Sequence, residues 1–335
     1  MPSSEHSKLL VFAPQSARVM GEHVATHLNV ELSASEEREY ENGEHKMRPL
    51  ANVRDRDVYV LSLLCGDAAT SSNDRLCRLL LFIGALKDAG AARVTACVPY
   101  LPYARKDRRT KANDPISTRY IAAMFEAVKT DRVVVLDVHN LAAFENAFRI
   151  PTIPLDTTAL FAKHFTAQPG FKEWVVASPD IGGVKRAQRM RDAMAGRLQK
   201  DVGSAFMDKK RSAGVISGET LVGNVEGKSV LIVDDMISSG TTMSRAVAAC
   251  RKAGAVQVHL AAAHAVFQPQ AGQLFVNADR LMQPDGVVVT NSVALREGFQ
   301  TFVGKGLTVL DIAPLYASAV ARLHASESPT DLCGL

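Results

Sequence analysis

Long apolar runs are missing from this chain, and so are paired cysteines and a large excess of either charge. No stretch of its 335 residues approaches the ~20 apolar positions of a membrane-spanning helix, so no membrane partner is expected. A leader pattern is also missing. Glu5 and Lys8 interrupt the amino terminus, and the apolar run 9–13 is too short for a signal-peptide core. The five cysteines (Cys65, Cys77, Cys97, Cys250 and Cys333) are odd in number and show no C-x-x-C spacing. That argues against a disulfide framework or a zinc site, and a free thiol in apolar surroundings acts as a small core residue. A cytoplasmic protein is therefore expected. The formal net charge of +4 is too mild for a dedicated nucleic-acid binder, so no nucleic-acid partner is expected. The basic residues gather instead in two short clusters, 105–111 and 209–211, which fit a small polyanionic substrate better than a duplex.

What is present is ample core material, at 47% hydrophobic residues, in a chain long enough for about two domains. Apolar runs at 58–63, 94–98 and 133–137 read as buried strands. Helical spacing of Leu76, Leu79, Leu80 and Ile83 predicts a helix over 73–89, stopped by Gly90. Ile121, Met124, Phe125 and Val128 predict another over 117–128. Alternation of this kind implies a parallel sheet with helices on both faces. Pro151 and Pro154 mark an expected boundary, after which the pattern restarts. Strands are expected at 175–178, 231–233, 258–262, 287–290 and 307–312, with helices at 183–195, 243–253 and 315–324. Residues 204–228 are the weakest segment for regular structure and read as a mobile basic lid. The tail 325–335 is polar and expected to fray.

The densest signal is VLIVDDMISSGTTMSRAV at residues 230–247. An apolar run ends in Asp234 and Asp235. A loop of small residues follows (Ser238, Ser239, Gly240, Thr241 and Thr242), and then a helix opens. Backbone N–H groups at a helix start, with hydroxyls beside them, suit a phosphate, and small side chains let it approach. Carboxylates repel a phosphate, so the pair fits ribose hydroxyls or a metal-bound water.

Other constellations stand at predicted strand ends, where open α/β sheets place their ligands. PYLPYARKDRRTK at 99–111 carries Arg105, Lys106, Arg108 and Arg109, and arginine's planar fork suits phosphate. His139 in DVHN is a metal-ligand candidate, as is Asp180 in SPDIGGVKR, which could equally meet a sugar. GNVEGKS at 223–229 imitates a Walker A loop. It has three residues between its glycines where that motif has four, and it precedes a strand rather than following one.

Taken together, YENGE at 40–44, PYLPYARKD, PIS at 115–117, DVHN, SPDIGGVKR, MDKKR at 207–211 and VDDMISSGTT resemble the ribose-phosphate diphosphokinase family. The likeness spans about residues 10–324. It implies an α/β fold of two phosphoribosyltransferase-like domains, each a mainly parallel sheet flanked by helices. They would be residues 1–153, joined by a C-terminal helix at 313–326, and residues 154–312. It implies transfer of the diphosphoryl group of ATP to ribose 5-phosphate, giving phosphoribosyl pyrophosphate (PRPP) and AMP for nucleotide biosynthesis. By the same resemblance, Asp234 and Asp235 meet the ribose, and Ser238, Ser239, Gly240, Thr241 and Thr242 hold the 5-phosphate. Tyr40, Asn42 and Glu44 form an adenine-binding hairpin, and Arg105 and Lys106 serve ATP. His139 and Asp180 are linked to Mg2+, and Lys209 and Arg211 are the catalytic basic pair. A homo-oligomer is implied, a hexamer or a dimer or tetramer. Ser238, Thr241, Lys106, Thr110, Asn113 and Asn140 depart from the family's usual residues.

Two alternatives remain open on the sequence. A catalytically inert relative acting as a regulatory subunit would be expected to lose His139, Lys209 or Arg211, all present here. A phosphoribosyltransferase that consumes PRPP would share the loop at 234–242. It would not need the YENGE hairpin or the PYLPYAR segment.

Overall fold

A computed structural model describes residues 8–168, 173–212, 215–276 and 279–334; the side chains of residues 209–219 lie outside the described set. The chain divides into two compact units. One comprises residues 1–156, 292–294 and 311–335, the other 157–291 and 295–310.

The first unit opens with β1 (Leu9–Phe12) and α1 (Arg18–His27), then the antiparallel pair β2 (Ser35–Glu39) and β3 (His45–Pro49). β4 (Asp57–Leu61), α2 (Ser72–Asp88), β5 (Arg93–Cys97), α3 (Ser117–Ala127), β6 (Arg132–Leu136), α4 (Leu141–Ala147) and β7 (Thr152–Leu155) follow. The sheet order is β1-β4-β5-β6-β7, all parallel. β4 is buried throughout, as a central parallel strand covered on both faces must be. α2 starts with a capping box, in which Ser71 and Asp74 exchange side chain-to-backbone hydrogen bonds, and it buries Leu76, Leu79, Phe82 and Ile83. Pro154 lies within β7, an edge strand, where a missing N–H is tolerated.

The second unit runs α5 (Thr158–Thr166), β8 (Trp174–Ser178), α6 (Val184–Leu198), β9 (Gly203–Ser212) and β10 (Val215–Val222). β11 (Ser229–Met236), α7 (Thr241–Lys252), β12 (Gln257–His264), β13 (Gly286–Thr290) and β14 (Leu307–Leu310) complete it. Its sheet order is β10-β9-β8-β11-β12-β13-β14, parallel except for β10. Apolar side chains of β11 fill both faces: Val230 and Ile232 join one core layer, Leu231 and Val233 the other. A last helix, α8 (Ala313–His324), belongs to the first unit and buries Tyr316, Ala317, Val320 and Leu323 there.

Two expectations are corrected. Residues 204–228 are not irregular: most of the segment is β9 and β10, paired antiparallel. Ala205 and Met207 are buried while Ser204 is exposed, a period-2 alternation that the run of basic residues after Met207 hides. Charged residues are tolerated there because β9 and β10 end the sheet. The described tail, residues 325–334, does not fray either; Leu335 lies outside the described residues. Leu332 carbonyl accepts from Asp156 N–H at 2.9 Å, and Arg322 pairs with Asp331. Among the described residues no helix is long and apolar enough to cross a membrane.

Candidate active site

In the second unit the strand-end turn after β11 is built from small residues for a visible reason. Gly240 caps α7 at φ 77°, and a Cβ there would sit 3.1 Å from Leu274. Only glycine enters that left-handed corner without strain. The Ser239 and Thr241 hydroxyls lie 3.2 Å apart, and Thr241 N–H donates to Ser239 Oγ at 3.4 Å. Ser239, Thr241 and Thr242 are exposed, and Ser238 is half-buried. The helix start therefore presents donors to solvent, an arrangement suited to an anion.

Asp234 and Asp235 close the strand. Asp235 is 2% exposed, and its N–H donates to Asp234 Oδ1 at 2.9 Å. Burial, and then repulsion from Asp235, push the Asp234 carboxyl up to about 8. Arg186 opposes this: its Nη1 lies 3.3 Å from Asp234 Oδ1 and 3.8 Å from Asp235 Oδ1. Arg186 projects from α6, which follows β8, and β8 pairs directly with β11. Between β8 and α6 lies Asp180, half-buried. Its Oδ1 accepts from Gly183 N–H at 3.1 Å, and its carbonyl accepts from Ser178 Oγ at 2.6 Å. A Cβ on Gly183 would stand 2.6 Å from Ser178 Oγ, so the turn depends on that glycine.

Lys209 and Arg211 lie on β9, paired with Glu219 and Ile216 of β10. Their side chains fall outside the described residues.

In the first unit, Arg105 and His139 are exposed after the neighbouring parallel strands β5 and β6. The two segments are joined directly, because Asn140 Nδ2 donates to Asp107 Oδ2 at 2.6 Å. Asn140 also caps α4, accepting from Ala143 N–H at 3.2 Å. Lys106 is half-buried, and its Nζ lies 2.6 Å from Asp114 Oδ2. Tyr40, Asn42 and Glu44 sit exposed at the tip joining β2 and β3. Tyr40 N–H donates to the Glu44 carbonyl at 2.8 Å, and Glu44 N–H to Asn42 Oδ1 at 3.2 Å. The Arg38 guanidinium lies 5.0 Å from the centre of the Tyr40 ring. Among the described residues, no three His, Cys, Asp or Glu side chains gather into a metal-holding group.

Residues 9–128 match the N-terminal domain of ribose phosphate pyrophosphokinase, and residues 145–282 match the phosphoribosyl transferase domain. The ribose-phosphate pyrophosphokinase of Chromobacterium violaceum is 35% identical over 96% of this chain and 94% of its own. That of Deinococcus radiodurans is 32% identical over 98% and 99%. The crystal structure of phosphoribosylpyrophosphate synthetase from Mycobacterium smegmatis superposes with a TM-score of 0.84 at 32% identity, over 95% of this chain and 99% of that one. The chain belongs to the ribose-phosphate pyrophosphokinase family.

Within this pyrophosphokinase fold, three contacts escape sequence reasoning. The Arg186 bridge joins two motifs 48 positions apart, and only the pairing of β8 with β11 brings them together. The Asp114 and Asp107 contacts were hidden in a charge run, where every acid has several basic neighbours. The spacing of Lys106 and Thr110 from Asp114 was the available signal.

Proposed function

We propose that this chain is a working ribose-phosphate pyrophosphokinase. The C1 hydroxyl oxygen of ribose 5-phosphate attacks the β-phosphorus of ATP, losing its proton. The bond from the β-phosphorus to the oxygen bridging it to the α-phosphate breaks, so PRPP forms and AMP leaves. Such chemistry needs positioning and charge neutralisation more than covalent help.

The observation that carries the reading is the β11 turn: two carboxylates on a strand end, then exposed hydroxyls at a helix start. Asp234 and Asp235 take the ribose hydroxyls, and Ser238, Ser239, Gly240, Thr241 and Thr242 take the 5-phosphate. Tyr40, Asn42, Glu44 and Arg105 serve the nucleotide. Lys209 and Arg211 neutralise charge building on the transferred group.

Magnesium is part of the reading. Asp180 offers a hard oxygen donor, and His139 is exposed at a strand end. Magnesium keeps waters and binds substrate phosphates, so it asks few ligands of a protein. Each unit thus offers a single candidate donor, which fits this mode and not a closed cage. The ion would offset phosphate charge, while the chain's own residues bind and orient both substrates. A homo-oligomer and a cytoplasmic setting complete the reading, the latter because ATP is consumed there.

Incubation with ATP, Mg2+ and ribose 5-phosphate should yield AMP and PRPP in equal amounts. ADP as the nucleotide product would mean an ordinary kinase. No product at all would favour the inert subunit.

A further inference from the structure

The basic loop between β5 and α3 is folded around one carboxylate. Asp114 Oδ2 accepts from Lys106 Nζ at 2.6 Å, Thr110 Oγ1 at 2.7 Å, and the N–H groups of Thr110 and Lys111 at 2.9 Å each. Arg109 Nε donates to the Asp114 carbonyl at 3.3 Å. The loop is tied at two further points. Thr118, buried at the start of α3, donates its hydroxyl towards the Tyr103 and Lys106 carbonyls at 3.2 and 3.3 Å. Asp107 accepts from Asn140 at 2.6 Å.

Tyr103 and Asn113 hold the left-handed backbone at φ 65° and 62°. Such conformations persist where surrounding contacts over-determine them, as they do here. Lys106 and the Thr110 and Lys111 donors hold the Asp114 carboxyl well below the usual carboxylate range, so it stays ionised at any working pH. Arg105 and Arg108 are left exposed, whereas the half-buried Lys106 is paired with Asp114.

We propose that Asp114 is the positioning residue of this loop, and that Lys106 is its internal counter-ion rather than a contact to the nucleotide. The inference rests on the reading that the loop serves ATP. A loop pre-folded around one carboxylate presents its arginines without an ordering cost at binding. This revises the role that the resemblance assigns to Lys106.

The test uses the full-length protein and four variants: Asp114→Ala, Asp114→Asn, Lys106→Met, and Asp114→Ala with Lys106→Met. Steady-state kinetics, calorimetric titration with a non-hydrolysable ATP analogue, and melting temperature are measured for each. Asp114→Ala should raise KM for ATP about tenfold, with kcat and KM for ribose 5-phosphate within about twofold and melting unchanged. Asp114→Asn keeps an acceptor for the Thr110 and Lys111 donors and should recover part of the loss. Lys106→Met should cost no more than Asp114→Ala, and the double variant no more than Asp114→Ala alone, because the two act as one unit. A larger loss of ATP affinity in Lys106→Met, additive in the double variant, would make Lys106 a nucleotide contact and overturn the proposal. So would an equal rise in both KM values, a drop in melting temperature that accounts for the loss, or no change. If the unaltered protein makes no PRPP but Asp114→Ala still weakens the analogue, the assigned reaction fails and this proposal stands. If PRPP forms and Asp114→Ala leaves the nucleotide untouched, the reverse holds. If the unaltered protein neither makes PRPP nor binds the analogue, both fall.

Discussion

At the residue scale, the acidic pair with its arginine is the most consequential arrangement. Two neighbouring carboxylates repel, and burial favours their neutral forms; Arg186 is the cation set against both effects. The Asp234 carboxyl is raised, so the folded state holds a proton that the unfolded state has released. The associated stability is fully present below the ordinary value near 3.8 and is lost as pH rises through about 8. Without ligand, this carboxyl should therefore contribute less to melting temperature at pH 8 than at pH 4, so the profile of Asp234→Asn should rise relative to that of the unaltered protein over this range. A parallel course in the two proteins would falsify the assignment. Arg186→Ala should cost about 3 kcal/mol at pH 8, since it leaves buried charge uncompensated. At pH 5 the penalty should be smaller, because the carboxyls can take up protons. Denaturant unfolding at the two pH values measures the difference.

At the element scale, the turn between β11 and α7 and the β9–β10 pair do different work. The turn depends on backbone shape. Gly240→Ala places an L-residue at φ 77° against Leu274, at a cost of roughly 1–2 kcal/mol. Its kinetic mark should be a raised KM for ribose 5-phosphate with KM for ATP unmoved; a change in both would mean a general loss of structure. On the proposed reading, Lys209 and Arg211 of β9 act through side-chain charge. Lys209→Ala should lower kcat by about a hundredfold or more, with ribose 5-phosphate affinity nearly unaltered. Titration of the sugar phosphate beside single-turnover rates separates the two.

At the scale of the whole molecule, the end of the chain completes the first unit. His324, the last residue of α8, places Nδ1 2.7 Å from Asp57 Oδ2 at the start of β4. Arg93 Nε donates to Asp57 Oδ1 at 2.7 Å, and the Tyr59 hydroxyl to Asp57 Oδ2 at 3.2 Å. Despite the opposing effect of burial, the Arg93 and His324 hydrogen bonds hold the Asp57 carboxyl below its ordinary value. That stability is present above about 3.8 and lost as pH falls through the lowered value. Asp57→Asn should cost about 3–5 kcal/mol near neutrality, as for a broken buried pair, and lose its disadvantage in acid. Equal melting curves at pH 7 would remove Asp57 from the account.

Much of this architecture is legible in the order of residues alone. Apolar runs and helical spacing depend only on local order, and they located α2, α3 and β11 to within a few residues. The alternation of strands and helices set the parallel α/β class. The β11 turn was legible because its chemistry is contiguous: carboxylates, small residues and helix start lie within ten positions. The strands β9 and β10 were not, because their short apolar alternation gives way to basic residues that imitate a solvated loop. The pinned tail is not legible in the sequence because its partner, Asp156, lies far away along the chain. Which charges neutralise which is set by the folded chain. Arg186 meets Asp234 because β8 neighbours β11, and Lys106 meets Asp114 because the loop closes on itself. A charge has many possible partners along a chain but few within 4 Å, and folding makes that selection.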